Sequence, residues 1–307
     1  MSAANKTLRP KTIKGILTAR GVFPYVFILP FILSFLIFFL YPIISTVEMS
    51  MQSIKGFDTI EFIGLKNYRN LFNRQFFNAL SVTARYTFWT ILILIPIPLV
   101  LANILNSHLT KGGNIYKSAL FMPALTSVVM AGLFFKFAFA EQPTALINSI
   151  IVSLGGEPYR FLYTKTGAMI VLVLFCTWKW MGVNLIYYMS ALKSIPAEIY
   201  ESAEIDGANS IQKFLNITVP SVKPTIIYVL TISVYGGFAM FAESFTLFNG
   251  ARSPGDIGTT LVGFIYNQGL NQNNFGLASA AGLVLLGMVL TINVIQLLIT
   301  GAFRKEA

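Results

Sequence analysis

Ser194-Ile-Pro-Ala-Glu-Ile-Tyr-Glu-Ser-Ala-Glu-Ile-Asp-Gly-Ala-Asn-Ser-Ile-Gln-Lys-Phe-Leu-Asn-Ile-Thr-Val-Pro220 is a polar, helix-prone insert between two long apolar segments. It starts like a helix: Ser194 is placed to act as N-cap, and Pro196 falls in the first turn, where a missing N–H costs little. Glu198, Glu201 and Glu204 follow, while Ile195, Ile199, Ser202 and Ala203 share one face at three-to-four spacing. Asp206-Gly207 breaks the run, because glycine tolerates the positive φ that ends a helix. A second short helical pattern then runs through Ile211, Phe214 and Leu215 to Pro220. The pattern is two short helices at an angle, forming an exposed knuckle. By spacing alone, an ordinary amphipathic connector would look the same.

The flanks say what the knuckle connects. Of 307 residues, 55% are apolar and 11% charged, far from the balance of a soluble domain. Six stretches reach the roughly 20 apolar residues that cross a bilayer. They are Pro24–Val47, Leu80–Leu105, Ala119–Ala140, Ala168–Leu192, Pro224–Phe248 and Leu277–Ala302. The first is too long for the apolar core of a cleavable signal peptide and reads as a retained anchor. The formal charge of +10 is explained by where the basic residues lie. Lys6, Arg9, Lys11, Lys14, Arg20, Lys111, Lys117, Lys193, Lys213, Lys223, Arg304 and Lys305 fall on one side of the membrane. Lys55, Lys66, Arg69, Arg74, Arg160, Lys165 and Arg252 fall on the other. The positive-inside bias puts both termini and the Glu-rich knuckle in the cytoplasm without calling on nucleic acid. Cys176 and His108 are the single cysteine and histidine, which excludes an intrachain disulfide and a multi-histidine metal site. The chain contains no G-x-x-x-x-G-K-[ST], G-x-S-x-G or H-E-x-x-H, so energy from ATP must come through another chain.

In this inter-span setting, Tyr200-Glu-Ser-Ala-Glu-Ile-Asp-Gly207 followed by Ile217-Thr-Val-Pro220 resembles the loop signature of ABC-importer permeases: E-A-A, then Gly, then I-x-L-P. Glu201, Ala203, Gly207, Ile217 and Pro220 match; Ser202 replaces the usual Ala and Val219 the usual Leu. The resemblance implies that this loop docks into a groove on a separate ATPase subunit. It assigns that docking to Glu198, Glu201, Ser202, Ala203, Asp206, Gly207, Ala208, Ile217 and Pro220. Further matches extend the resemblance over essentially the whole chain after residue 24. Tyr41-Pro42 resembles the Y-P that ends the first span in sugar permeases, although a plain helix stop would look alike. Phe62-Ile-Gly-Leu-Lys-Asn-Tyr68 resembles the F-x-G-L-x-N-Y of the larger, maltose-permease-like subunit, and Met122-Pro123 the family's M-P. Tyr68, Leu71, Phe72 and Phe76 recur at helical spacing, consistent with a short interfacial helix. Asn249–Thr260 resembles the family's G-G-P…T stretch, departing at Ala251-Arg252-Ser253, and Tyr266, Gly276, Ala278 and Ala280 continue the match into span six.

Spans four and five hold the candidate substrate path. Trp180, Gly182 and Asn184 match the W-x-G-x-N of related sugar permeases, and Tyr187 follows one turn on. Aromatic faces stack on a sugar's C–H face while amides bond its hydroxyls. Packing or interfacial anchoring would explain Trp180 and its neighbour Trp178 equally well by count. Lys179 is costly within a span, about 2.5–3.5 kcal/mol at mid-bilayer, and must face the bundle or a wet cavity. In span five, Ser233, Gly236, Gly237, Met240, Phe241 and Glu243 cluster, with Ser233, Gly237 and Phe241 along one face. Gly236-Gly237 permits an unwound turn as at transporter binding sites, or a small-residue packing seam. Glu243 reads as a substrate-path carboxylate or as a structural partner of Lys179 or of another chain; both readings stand at this point.

Together these readings give an all-α polytopic membrane protein with six transmembrane helices and the type I ABC-importer transmembrane fold. Residues 1–20 form a cytoplasmic basic arm near anionic headgroups, and 21–307 one six-span permease domain with the coupling loop at about 194–220. The resemblance implies a non-catalytic permease subunit that moves a sugar, by the family's habit a di- or oligosaccharide, across a bacterial-type plasma (inner) membrane. Its implied partners are a second homologous permease, two ATPase subunits and an extracytoplasmic solute-binding protein. Mg-ATP would sit on the ATPases, with no cofactor or metal on this chain. The competing class is an ion-coupled secondary transporter of a small polar solute, with Glu243 and Lys179 as coupling residues.

Overall fold

The computed structural model describes residues 23–54, 60–106 and 113–301. The basic arm, with Lys55, His108, Lys111, Arg304 and Lys305, lies outside the described residues. Among the described residues five helices are long and apolar enough to cross a membrane, and six when the two bent halves of the third are taken together.

Span one runs Phe23–Phe35, a five-residue π-turn at Leu36–Leu40, and Tyr41–Ser50. Tyr41-Pro42 is therefore not a helix stop. Pro42 has no N–H to give the carbonyl four residues back, so the preceding turn widens and the Tyr41 N–H reaches Leu36 O instead. The same device recurs before Pro220, where a π-turn at Phe214–Thr218 lets the Val219 N–H reach Phe214 O. The all-α expectation omits one feature, a short antiparallel hairpin of β1 (Gln52–Ile54) and β2 (Ile60–Phe62) after span one. The buried Asn67 amide ties it down, donating to Ser50 O at 2.8 Å and Gln52 O at 2.9 Å. Tyr68 shares a 2.8 Å hydrogen bond with Ser50. A Cβ on Gly276, at the start of span six, would collide with the Gln52 carbonyl. The F-x-G-L-x-N-Y stretch thus locks the hairpin onto the bundle. The helix expected through Tyr68 and Phe76 is two helices: Lys66–Leu71 ends, Asn73 caps the next by accepting from the Phe76 N–H at 3.0 Å, and span two begins.

Span two consists of Arg74–Leu94 and Pro96–Asn106. Span three is broken, with Gly113–Leu125 and Val128–Ala138 meeting at 97° across Thr126-Ser127. A hydropathy profile does not register such a bend, because both halves are apolar and sum to one long stretch. Span four, Lys165–Leu192, is the continuous central helix, and half of its apolar stretch is buried within the chain against none for span one. Span five is Lys223–Phe238 and Ala242–Phe248, interrupted at Ala239–Phe241. Tyr266 lies not in span six but in a preceding short helix, Leu261–Tyr266; span six is Phe275–Thr300, closed by Gly301 at φ 72°. Val82, Tyr86, Phe135, Leu172 and Phe175 form the core at one level. Leu99, Leu185, Tyr188 and Val229 form it toward the knuckle.

The segment expected as a turn-rich loop, Asn249–Thr260, is tied down at several points. Ser244 Oγ donates to Gly258 O at 2.8 Å, Asn78 donates to Asp256 O at 2.7 Å, and the Leu261 N–H reaches Thr83 Oγ1 at 2.9 Å. Arg252 clasps Asp256 through both carboxylate oxygens, at 2.9 and 2.6 Å, and holds its carboxyl below the usual range. A depressed folded-state pKa stabilises above the unfolded value near 3.9 and is lost as pH falls through the folded one. Amide protection in 253–260 is therefore expected to hold at neutral pH and to weaken below about pH 4. An Arg252→Ala variant should show the weakened protection, and hence faster exchange, already at pH 7.

Candidate functional site

The knuckle is built as two helices joined by a left-handed glycine. The first is Ala197–Ile205. Ser194 is not its N-cap: the Ser194 hydroxyl donates back to Ala191 O at 2.7 Å, closing span four, and Pro196 holds the cap position with no side-chain bond. Glu198, in the first turn, faces the helix's positive end. At the other end Gly207 takes φ 80°, its N–H bonding Glu204 O at 3.1 Å while the Ala208 N–H bonds Ala203 O at 2.8 Å. These paired bonds form a Schellman closure, which requires a residue that tolerates positive φ. Asn209 then opens the second helix, Ser210–Lys213, with a reciprocal capping box to Gln212 at 2.9 and 2.8 Å. The N-x-x-Q spacing of Asn209 and Gln212 is the signal in the sequence that marks this helix start. Two contacts hold the halves together: Tyr200 OH to the buried Thr218 Oγ1 at 2.8 Å, and Lys213 to Glu204 at 3.5 Å. Glu198, Glu201, Ser202, Asp206, Gly207 and Pro220 are exposed, and Ala203, Ala208 and Ile217 half-buried. Ile205 is 87% and Ile211 70% exposed, an apolar pair at the tip of an otherwise polar element.

Inside the bundle the structure divides the candidate path residues. Four are committed to packing. A Cβ on Gly182 would strike the backbone of Leu120 and Phe121 in span three, and one on Gly237 would strike Thr87 in span two. Met240 is buried in the core. Asn184, also buried, donates its amide to Leu94 O at 2.9 Å. That carbonyl is the one left without a helical partner because Pro98, four residues on, has no N–H. Trp180 and Gly236 are exposed, while Tyr187, Ser233, Phe241 and Glu243 are half-buried. Phe241 is not on the Ser233–Gly237 face: the break of span five takes it to φ −142°, where its ring stacks on Tyr266 at 5.1 Å. Tyr187 packs edge-on against Tyr228 at 5.4 Å.

The break in span three explains Lys179. Its Nζ donates to Thr126 O at 2.7 Å, at the carboxyl end of the first half-helix, where a cation compensates the helix dipole and an orphaned carbonyl. Among the described residues no ion pair within 4.0 Å joins Lys179 to Glu243. Glu243 sits in the first turn of Ala242–Phe248, with Tyr86, Cys176 and Lys179 in electrostatic range.

Asn184 yields a quantitative test. Asn184→Leu strands a buried carbonyl and should cost about 1–3 kcal/mol. In a Pro98→Ala background the restored N–H satisfies Leu94 O, and most of that cost should vanish. Thermal unfolding across the four members of this cycle checks it, with a coupling energy near zero as the contrary result.

An apolar helical bundle with broken spans and an exposed two-helix knuckle between spans four and five has the build of a membrane-transport subunit. Residues 115–305 match the family described as binding-protein-dependent transport system inner membrane component, and the chain belongs to that family. It is 50% identical over 283 residues to an arabinooligosaccharides transport system permease protein of Bacillus subtilis (strain 168), covering 92% of this chain and 90% of the relative. It is 29% identical to a lactose transport system permease protein of Rhizobium radiobacter, covering 89% and 92%. It also resembles a chain of a bacterial alginate ABC transporter solved with an alginate pentasaccharide-bound periplasmic protein. That match has a TM-score of 0.83 and 25% identity, covering 96% and 99% of the two chains. The protein is a transmembrane permease subunit of an ABC importer with the type I fold. The ion-coupled secondary carrier, whose coupling pair was to be Glu243 and Lys179, is set aside.

Proposed function

We propose that this chain is the larger permease of a heterodimeric importer that carries a neutral di- or oligosaccharide into the cytoplasm. Both termini and the knuckle would face the cytoplasm. The observation that carries the reading is the 50% identity, over nearly the full length, to a permease named for arabinooligosaccharides. A neutral substrate is supported by Lys179, the cation available in the middle of spans four to six, being already engaged at Thr126. A phosphate would need the fork of an arginine or several lysines. The substrate path is assigned to Trp180, Tyr187, Ser233, Gly236, Phe241 and Glu243. Gly182, Asn184, Gly237 and Met240 hold the helices that frame it. Two ATPase subunits bind Mg-ATP, one against this knuckle and one against that of the second permease, and an extracytoplasmic binding protein delivers the sugar. ATP-driven closure moves Glu198–Pro220 as a unit, because Tyr200 and Thr218 tie its halves and a single turn at Val222 separates it from the helix of span five.

The test is ATP hydrolysis by the complex isolated through this chain, with and without binding proteins loaded with different sugars. Stimulation by one loaded binding protein is expected, and arabinooligosaccharide is the first sugar to try. An isolated chain that brings no ATPase with it would overturn the assignment.

A further inference from the structure

Spans two and four run side by side, and at the membrane face opposite the knuckle a groove of about 460 Å³ opens between them. Its walls are apolar, with Trp89 and Ile93 on one side and Met169 and Val173 on the other, but Arg85 and Lys165 stand at its mouth. Lys165 also lines a second cavity, of about 660 Å³, walled by Arg74, Asn78, Ser81 and Asp256. An apolar groove therefore meets a polar chamber at a shared lysine.

The charges in this place need an explanation. Arg74, Arg85 and Lys165 make no ion pair within 4.0 Å among the described residues. The carboxylate in the chamber, Asp256, is already clasped by Arg252 at 2.6 Å. Arg85 donates through Nε to Ser81 O at 3.2 Å, which holds the side chain along the helix while its terminal nitrogens stay available. Two unneutralised cations at the mouth of a hydrophobic slot, with a third in the chamber beside it, match an amphiphile with an anionic head. A zwitterionic lipid brings no net charge to offset them. A sugar gains nothing from walls of Ile93 and Val173. A helix of another permease would have to bury those cations or pair them.

We infer that this groove is a binding site for an anionic phospholipid of the phosphatidylglycerol class. The acyl chain lies against Trp89, Ile93, Met169 and Val173, and the phosphate between Arg85 and Lys165. Bound there, the lipid would bridge spans two and four at the end of the bundle where neither is covered by the knuckle's packing.

The experiment uses the assembled importer, extracted in mild detergent from membranes of known lipid composition, with retained lipid quantified by mass spectrometry. The wild-type complex should retain phosphatidylglycerol in preference to phosphatidylethanolamine relative to the bulk membrane. Removing both mouth cations in Arg85→Gln/Lys165→Gln should lower that retention on the order of 25-fold, each cation contributing about fivefold. Ile170→Trp, which fills the slot and leaves the cations in place, should lower it as well, so the site remains testable if the double variant assembles poorly. Retention at the bulk ratio in wild type, or undiminished retention in both variants, overturns the proposal. A photo-crosslinker at Leu174 gives an independent reading: lipid adducts support the site, and capture of the second permease refutes it.

Discussion

Glu201→Lys is expected to abolish sugar uptake, at least about 30-fold below wild type, with the folded protein still present in the membrane at its normal level. Glu201 is exposed on the outer side of Ala197–Ile205, and among the described residues it forms no ion pair. Its charge does nothing for the fold of this chain, so losing it should leave assembly of the two permeases intact. The effect is expected at the ATPase groove, where a reversed charge is both unpaired and repelled. The binding protein should still deliver sugar to the outer face, since nothing in the knuckle reaches it. A useful companion is Gly207→Val. No atom lies within 4 Å of a Cβ built there, so its cost comes from forcing a β-branched residue to φ 80° and not from a clash. That change should spoil the angle between the knuckle's halves and weaken coupling while sparing the surface charge. Uptake in proteoliposomes, with ATPase co-purification as the control, reads both variants. Wild-type uptake by Glu201→Lys would remove the docking role from this helix.

Much of this architecture was legible because lipid as a solvent imposes simple rules. The six apolar stretches lie within a few residues of the helices, and the two-helix knuckle was readable from Gly207 and the glutamate spacing. What the sequence concealed was direction. Thr126-Ser127 turns span three through 97°, and Ala239–Phe241 interrupts span five, yet two hydroxyl residues and a nearby Gly-Gly pair are too slight a signal to fix the angle or the place of either break. Lys179 was the visible symptom. A charge in a span needs a partner, and the partner is a carbonyl exposed by the break, which no pairing of side-chain types could suggest. Asn184 misled for a related reason. An amide beside aromatic residues suits a sugar, yet it is equally suited to the carbonyl that Pro98 leaves open on another helix. The hairpin after span one escaped the reading because strands of three residues are too short to show alternation.

Gly182→Leu is expected to destabilise the assembled permease by about 3 kcal/mol, whereas Gly236→Leu should be nearly silent in stability. Both are helical glycines beside the proposed substrate path, and from the sequence they look alike. A side chain at 182 has to displace the backbone of Leu120 and Phe121, which belongs to a packed helix and cannot rotate aside as a side chain can. At 236 nothing lies within 4 Å, and leucine is a better helix former than glycine. The loss at 182 should also spread. Lys179 and Gly182 are three residues apart on one face of span four, the first holding the break at Thr126 and the second the half-helix that leads into it. Forcing span three away from Gly182 draws Thr126 O away from Lys179 and leaves a buried ammonium without its acceptor. Gly182→Leu combined with Lys179→Met should therefore cost less than the sum of the two single changes. Thermal unfolding of the purified complex measures all four species. Strict additivity would separate the two contacts and refute the view that span four holds the bend of span three as one unit. Gly236→Leu, stable but protruding into the open space beside Ser233, should instead lower sugar uptake, which separates a residue that shapes the path from one that holds its wall.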